Sequence, residues 1–310
     1  MTSIDQPVDV AAQRRVAERR KRRRRPILEG NWWRHLVAWA AIAIALLPVA
    51  YVVSAAFNAD QTLRGSSLIP RSVTLQNFKD IFNDPNPQHD TRYGAWYLNT
   101  YVICTVAAIL NVMLGGLAAY AFSRFRFRGR RFGLLALLLI QMFPAVLLLV
   151  ALYLILLTTG DVFPTLGLNS RPALILVFLG GALGVNTWLM KGFFDTIPSE
   201  LDESARVDGA TPAQIFWGVI LPLAAPVLAV VGILTFVFLM NEFVITKVLL
   251  QTSDKFTLPV GLYGYINQKY SEQWGPFAAG AVLAALPVAI LVMFFQRFFV
   301  RGLTAGAVKG

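Results

Sequence analysis

Residues 134–157, LLALLLIQMFPAVLLLVALYLILL, decide the fold class. The stretch holds no charged residue, and a helix needs about 20 apolar residues to cross the hydrocarbon core of a bilayer. The strands of a membrane-spanning barrel alternate apolar and polar side chains, and this stretch does not. It therefore predicts a helix, which satisfies its own backbone hydrogen bonds in lipid.

Five further stretches share this character, in a chain of 310 residues that is 56% hydrophobic. The sequence thus predicts an all-α membrane protein. Its six transmembrane helices are expected at about residues 36–57, 97–122, 133–157, 172–190, 219–241 and 277–300. We expect three regions, which are a basic arm at 1–35, a six-span domain at 36–300 and a tail at 301–310.

Lys and Arg residues set the expected orientation, because short cytoplasmic loops carry an excess of them. Nine lie between Arg14 and Arg25, and five more follow the second predicted span. With six spans, both groups share one side with Arg297, Arg301 and Lys309. Both termini are therefore expected in the cytoplasm, and the arm is interpreted as contacting anionic lipid rather than nucleic acid.

Small residues and prolines are expected to shape the packing of the spans. Small-residue clusters at 115–121, 180–184 and 278–286 predict a close approach of helix backbones. Prolines predict bends in the spans that contain them, at Pro48, Pro144, Pro222, Pro226 and Pro287.

The loop between the fourth and fifth predicted spans, at about 191–218, carries the signals of a helix pair. Ser199 is a predicted N-cap, with Asp202 three residues further on. Leu201 and Ala205 share one face of the first helix, which predicts that this face is the buried one. A simple connection needs far fewer residues, so the loop is expected to engage a partner.

The second half of this loop contains a turn and a second helix start. Gly209 is a predicted left-handed stop for the first helix. Thr211 is the next predicted N-cap, with Pro212 at the first helical position and Gln214 reaching back to it. The second helix is expected to run toward the membrane and to end at residues 221–222.

The spacing of these residues resembles the EAA loop of the ABC importer permeases, which reads EAA, three residues, G, nine residues and I-x-L-P. Here the first three positions are Glu203, Ser204 and Ala205, and the glycine is Gly209. Residues 219–222 read VILP, so Ser204 replaces the first Ala of the motif, at its second position, and Val219 replaces its Ile.

The likeness extends from residue 203 to residue 310. Over this part the chain is similar to the smaller membrane subunits of maltose and maltodextrin importers. Residues 302–310 read GLTAGAVKG, where that group has GLTAGGVKG, so Ala307 is the departure.

The resemblance implies a membrane subunit of an ATP-driven importer in the bacterial cell membrane. The implied substrate is a sugar, maltose or maltodextrin first and trehalose or another glucoside as the alternative. The implied partners are a second homologous permease, two cytoplasmic ATPase subunits, an extracytoplasmic sugar-binding protein, the sugar and membrane lipid, with no nucleic acid. No cofactor is expected on this chain, because the partner ATPase subunits use the ATP and Mg.

The resemblance also assigns residues to the joint with the ATPase subunits. The loop becomes a coupling helix, with contacts or shaping roles at Glu203, Ser204, Ala205, Asp208, Gly209, Leu221 and Pro222. The tail would reach the ATPase subunits through Leu303, Thr304, Gly306 and Lys309. The external loop at about 251–276 would meet the sugar-binding protein.

The residues of that external region allow two interpretations. Residues 242–276 mix three tyrosines and a tryptophan with charged residues. This composition is typical of a protein-contact surface and equally of an aromatic belt at the membrane interface.

Two other functional classes fit the composition less well. A secondary transporter usually has ionisable groups inside its spans, but Glu242 ends the fifth span and His35 and His89 lie outside the core. A membrane-embedded enzyme would need a motif such as H-E-x-x-H, and the sequence has neither that nor a G-x-x-x-x-G-K-[ST] phosphate loop. We therefore expect a subunit that is not itself an enzyme.

Polar residues within the spans are the expected substrate path. Each is also interpreted as a possible helix–helix hydrogen bonder or interface anchor. They are Asn111, Gln141, Asn186, Trp188 and Asn241.

Overall fold

The computed structural model describes residues 32–59, 70, 72–83, 92–267 and 273–307, with 145, 181–182 and 297–307 described by their backbone alone. Most of the predicted basic arm and Lys309 lie outside the described residues. The chain divides into two compact units, Met1–Tyr51 and Val52–Gly310. In the first unit the described residues are helical, and the second unit contains all the contacts discussed below.

The described residues are helical apart from turns, connecting segments and an isolated bridge between Asn58 and Val73, which confirms the all-α prediction. In chain order the helices are α1 (Trp32–Phe57), α2 (Gln76–Asp80), α3 (Tyr93–Arg124), α4 (Arg130–Met142), α5 (Leu149–Val162), α6 (Arg171–Phe194), α7 (Glu200–Val207), α8 (Pro212–Ile215), α9 (Leu221–Met240), α10 (Val244–Leu249), α11 (Leu258–Ile266) and α12 (Trp274–Ala307). Short 3-10 turns lie at Ala145–Leu148, Pro164–Leu166 and Ser253–Lys255, and a π-helical turn lies at Phe216–Ile220.

Four helical segments of the described chain are long and apolar enough to cross a membrane. They are Trp32–Phe57, Tyr93–Arg124, Pro212–Met240 and Trp274–Gln296. Two bent pairs meet the same criterion if each pair counts as one span, and these are Arg130–Met142 with Val146–Val162 and Arg171–Gly180 with Leu183–Phe194. The described chain therefore holds four to six candidate spans.

The bend predicted at Pro144 is a complete break. Phe143 leaves the helix with φ −73° and ψ 126°, because a proline disfavours helical dihedrals in the residue before it. The helices on either side, α4 and α5, meet at 82°. By contrast, α1 continues through Pro48 and α12 through Pro287.

The packed centre of the second unit lies where α3 contacts α6 and α9. Ile103 and Ala107, near the middle of α3, belong to one buried cluster with Phe178 of α6. Gly115 explains how closely α3 and α6 approach, because a Cβ atom there would lie 2.6 Å from Cε of Met190. The close approach predicted for the small residues at 115–121 is confirmed.

The segment between α9 and α12 has more structure than the sequence predicts. It contains α10, a 3-10 turn and α11. Leu258 and Leu262 of α11 are buried against Tyr93 and Trp96 at the start of α3. The preceding connection, between α1 and α3, contains the short helix α2.

Candidate functional site

α7 is a short acidic helix with one buried face. Its first turn contains Glu200, Asp202 and Glu203. Asp202 is buried, and Ala205 packs against the neighbouring apolar cluster. Leu201 is 40% exposed, so its predicted burial is wrong. The buried side of the helix is formed by Asp202 and Ala205, one turn apart.

Ser199 occupies the predicted N-cap position of α7, but its side chain does not cap the helix. Ser199 has φ −66° and ψ −21°, and its side chain makes no cap hydrogen bond. An N-cap side chain reaches the helix from an extended residue, whereas Ser199 is already helical. Its carbonyl instead accepts from the N–H of Glu203 at 3.1 Å.

A buried ion pair joins α7 to the end of α3. Nε of Arg124 lies 2.8 Å from Oδ2 of Asp202, and the two side chains are 10% and 3% exposed. Nη2 of Arg124 donates to the carbonyl of Ile197 at 2.8 Å. The hydroxyl of Ser123 donates to Oδ1 of Asp195 at 2.7 Å. The end of α3 is thus attached on both sides of the turn that leads into α7.

α7 ends in a Schellman turn at the glycine that the sequence predicts. Gly209 has φ +82° and donates to the carbonyl of Arg206 at 3.0 Å, while Ala210 donates to that of Ala205 at 2.9 Å. A Cβ atom at Gly209 would meet nothing within 4 Å. The backbone conformation, and not the space, therefore favours glycine here.

The next helix starts with the predicted capping box. The N–H of Gln214 donates to Oγ1 of Thr211 at 3.3 Å, and the N–H of Thr211 donates to Oε1 of Gln214 at 2.7 Å. Pro212 occupies the first turn, where its missing N–H costs nothing. This prediction is confirmed.

The predicted end of this helix at residues 221–222 is wrong, because one helical segment continues from Pro212 to Met240. The π-helical turn accounts for this, with the N–H of Leu221 donating to the carbonyl of Phe216. Pro222 cannot donate, and its ring crowds the carbonyl four residues back. The wider turn before it accommodates the ring within the helix.

The outer face of α7 is open. Val207 is 88% exposed, an unusual position for a branched apolar side chain. The acids around it make the face negative. The exposed residues of this face are Glu200, Glu203, Ser204, Val207 and Asp208. A rigid helix with an apolar centre and an acidic rim is therefore presented at the surface of the unit.

Two of the predicted substrate-path residues are buried between helices. Asn111 is fully buried, and its Nδ2 donates to the carbonyls of Ala107 at 2.9 Å and Phe178 at 3.4 Å. Asn186 is also buried, and its Nδ2 donates to Oγ1 of Thr235 at 3.0 Å. These side chains connect α3 to α6 and α6 to α9.

The other three lie in more open positions. Trp188 donates from Nε1 to the carbonyl of Leu134 at 3.1 Å. Gln141 lies against Gly184, where a Cβ atom would be 2.7 Å from its Cδ. Asn241 is exposed and lines a cavity of about 700 Å³.

That cavity is largely apolar, with two polar residues at one end. Asn241 donates from Nδ2 to the carbonyl of Val237 at 2.7 Å. Glu242 accepts from the N–H groups of Ile245 at 2.9 Å and Thr246 at 3.0 Å. The carboxylate of Glu242 is therefore occupied in capping α10.

Leu303, Thr304 and Gly306 of the predicted tail belong to the last turns of α12, whose backbone is described to Ala307. Among the described residues, no group of three or more His, Cys, Asp or Glu side chains could hold a metal ion. Sequence reasoning missed Arg124, which was interpreted only as part of a topology-setting basic loop.

Known proteins match this chain over most of its length. Residues 111–305 match the family model described as binding-protein-dependent transport system inner membrane component. The maltose/maltodextrin transport system permease protein MalG of Vibrio parahaemolyticus is 40% identical over 286 residues, 90% of this chain and 96% of MalG. The galactooligosaccharides transport system permease protein GanQ of Bacillus subtilis is 38% identical over 275 residues, 89% of this chain and 94% of GanQ.

A solved structure is similar over the same extent. The bacterial ABC transporter involved in the import of the acidic polysaccharide alginate has a chain that matches with a TM-score of 0.69 and 25% identity. The match covers 87% of this chain and 98% of that one. The family model spans more than half of the chain, and near-40% identity extends along almost all of it. The chain therefore belongs to the family of binding-protein-dependent transport system inner membrane components.

Proposed function

We propose that the chain is the membrane-spanning permease subunit of an ATP-driven ABC importer for a maltose- or maltodextrin-type sugar. The observation that carries the proposal is the loop around α7. It exposes an acidic face on a helix that is fixed at one end by a buried ion pair and at the other by a glycine turn. Family membership and relatives named for oligosaccharide transport support the substrate class. A permease for trehalose or another glucoside is the alternative.

In this proposal α7 docks on a cytoplasmic ATPase subunit, which binds the ATP and Mg. Glu203 and Asp208 pair with basic groups on that subunit, and exposed charges of this kind favour encounter and register. Ala205 packs against the neighbouring apolar cluster, Ser204 is a small residue on the docking face, and Gly209 sets the reversal into α8.

Stiffness makes the loop suitable for transmitting force. A loose loop would absorb a displacement, whereas this one is held by the Arg124–Asp202 pair and by the caps on both sides of Gly209. Leu221 and Pro222 lie in the continuous helical segment that leads from α8 into the membrane. Displacement of α7 would thus move α9 and switch the access of the pathway between the two sides.

The topology in this proposal has six spans, with each bent pair crossing once. Both termini then lie in the cytoplasm, the arm at 1–35 contacts anionic lipid, and the six-span domain covers 36–300. The tail at 301–310 reaches the ATPase subunits through Leu303, Thr304, Gly306 and Lys309. The chain needs no cofactor and no ATPase site of its own.

The substrate path in this proposal uses the open polar residues. Asn241 and Gln141 offer amide groups, and Trp188 an aromatic face, that suit a hydroxyl-rich solute. The side chains of Asn111 and Asn186 donate hydrogen bonds to neighbouring helices, and in this proposal they stabilise the packing of the helices. A second, homologous permease completes the pathway, and the external segment 251–276 meets the sugar-binding protein.

The experiment that tests this function is purification of the tagged chain from its host membrane in a mild detergent, with mass spectrometry of the recovered proteins. We expect a second permease and an ATPase subunit to copurify. Uptake by vesicles containing the complex is then measured with labelled maltodextrin, trehalose and a galactooligosaccharide. Recovery of the chain alone, with uptake driven by an ion gradient, would support a secondary transporter instead.

A further inference from the structure

α3 differs from the other candidate spans of the described chain in being unbroken and free of proline. It has 32 residues, which gives a length of about 48 Å at 1.5 Å per residue. The α4–α5 and α6 spans are bent by 82° and 52°, and α1, α9 and α12 each contain an internal proline. A continuous hydrogen-bonded helix without proline kinks moves as one body when both of its ends are held.

The outer end of α3 is bound to the segment that precedes α11. Nδ2 of Asn99 donates to the carbonyls of Asp254 at 2.9 Å and Phe256 at 3.0 Å, and Asn99 is 2% exposed. Nε1 of Trp96 donates to the carbonyl of Ser253 at 2.8 Å. Three carbonyls of one external turn are thus held by two side chains of α3.

α11 itself is attached to the same turn of α3. The hydroxyl of Thr100 accepts from the N–H of Leu258 at 2.7 Å. Gly261 lies so close to Trp96 that a Cβ atom there would be 2.1 Å from the indole ring. The segment from residue 253 to α11 therefore has little freedom to move without α3.

The inner end of α3 likewise makes several contacts with the loop around α7. Arg124 holds Asp202 and Ile197, and Ser123 holds Asp195. The rings of Tyr120 and Phe216, the latter at the end of α8, lie 5.2 Å apart. One helix thus contacts the external segment 253–266 at one end and the α7–α8 loop at the other.

We propose that α3 is the rigid link that transmits occupancy of the external segment 253–266 to the α7–α8 loop. This inference rests on the proposed function, in which a binding protein docks outside and an ATPase docks inside. Asn99 and Thr100 are then positioning residues for coupling, although they touch neither sugar nor nucleotide. Their removal weakens the attachment of the outer segment to α3, which also contacts the inner loop.

The test uses two buried asparagines with the same chemistry. Asn99→Leu removes two hydrogen bonds from α3 to the external segment. Asn77→Leu is the matched control, because Nδ2 of Asn77 also donates to two backbone carbonyls, those of Ala56 at 3.0 Å and Asn58 at 2.8 Å. Asn77 is likewise buried, and neither its helix nor its partners belong to α3.

Each variant is assembled with the companion permease, the ATPase subunits and the binding protein in lipid nanodiscs. ATP hydrolysis is measured with and without the sugar-loaded binding protein. We expect Asn99→Leu to lower the stimulation ratio by about fivefold or more, the scale of coupling between distant sites. Asn77→Leu should keep the wild-type ratio among the complexes that assemble. Equal ratios in both variants and wild type would overturn the inference.

Thr100→Val gives an independent variant should Asn99→Leu fail to assemble, because it removes the acceptor for Leu258 without changing side-chain volume. The same loss of stimulation is expected, and a wild-type ratio would contradict the link. The wild-type complex separates the two levels of the argument. If the wild type itself shows no stimulation, the proposed function fails. If the wild type is stimulated and the variants are stimulated equally, the proposed function stands and the role of α3 fails.

Discussion

Nε of Arg124, the last residue of α3, lies 2.8 Å from Oδ2 of Asp202 in the first turn of α7. The two side chains are 10% and 3% exposed, so water contributes little to their solvation. Removal of one partner of such a pair strands a buried charge, whereas removal of both strands none. The pair therefore fixes the position of α7 at a point where the chain itself provides only a turn.

The first prediction concerns the stability of this pair. Arg124→Met and Asp202→Leu should each destabilise the protein by about 3–5 kcal/mol. The double variant R124M/D202L should recover most of that loss, because the two changes share one contact and are not additive. Thermal melting of the purified protein in detergent measures all four forms. A double variant as unstable as the sum of the single variants would contradict the ion pair.

The second prediction concerns the turn after α7. Gly209→Val should uncouple ATP hydrolysis from sugar uptake, because a left-handed conformation costs a residue with a Cβ roughly 1–2 kcal/mol and the turn would change. Gly209→Asn should retain much of the coupling, since Asn tolerates this conformation. The measurement is sugar taken up per ATP hydrolysed in proteoliposomes.

Gly192→Val is the control for that experiment. Gly192 is helical, and a Cβ atom there would also meet nothing within 4 Å. It should keep the wild-type ratio of uptake to hydrolysis. A wild-type ratio of uptake to hydrolysis in Gly209→Val would show that the turn has no role in coupling.

The third prediction concerns the start of α8. Thr211→Ala removes the acceptor for the N–H of Gln214 and should cost about 1 kcal/mol of local stability. Thr211→Ser keeps the oxygen and should behave as wild type. Limited proteolysis at the exposed loop around residue 209 reports this difference, with faster cleavage expected only in the alanine variant. Equal cleavage rates in all three forms would show that the cap does not stabilise the loop.

The fourth prediction separates substrate contact from helix packing. Asn241→Ala should raise the KM for sugar uptake, because Asn241 is exposed and lines the cavity near the end of α9. Asn111→Ala should instead lower thermal stability, by about 1 kcal/mol for a hydrogen bond between membrane helices, since its Nδ2 bonds Phe178. Uptake kinetics and melting of the two variants are compared. A raised KM in Asn111→Ala alone would reverse the assignment.

Local chemistry explains what the sequence predicts correctly. Thr211 and Gln214 lie three residues apart and satisfy each other, and Gly209 adopts its positive φ within a turn of neighbouring residues. These signals need no information from elsewhere in the chain. The apolar runs likewise predict helices from composition alone.

The errors come from contacts between distant segments. Asp202 is buried because Arg124 approaches from another helix, and this places Leu201 toward the outside. Nothing near residue 202 in the sequence indicates that partner. The chain also responds differently to two prolines. The helix breaks at Pro144, which an α-helix precedes, but it continues through Pro222, which follows a π-helical turn that accommodates the ring.

The contacts of α3 with the segment before α11 are likewise not indicated by the sequence. Asn99 was not among the predicted site residues, and its acceptors are backbone carbonyls, which leave no trace in residue type. Only the arrangement of α3 against the segment before α11 brings them together.

The most direct measurement of the central claim is the rate of ATP hydrolysis by the wild-type complex, purified through this chain and reconstituted in lipid. The rate is compared with no addition, with the binding protein alone, and with the binding protein plus maltodextrin. The account predicts the highest rate with protein and sugar together, and sugar uptake that requires ATP. Uptake without ATP, by a preparation that contains no ATPase subunit, would contradict it.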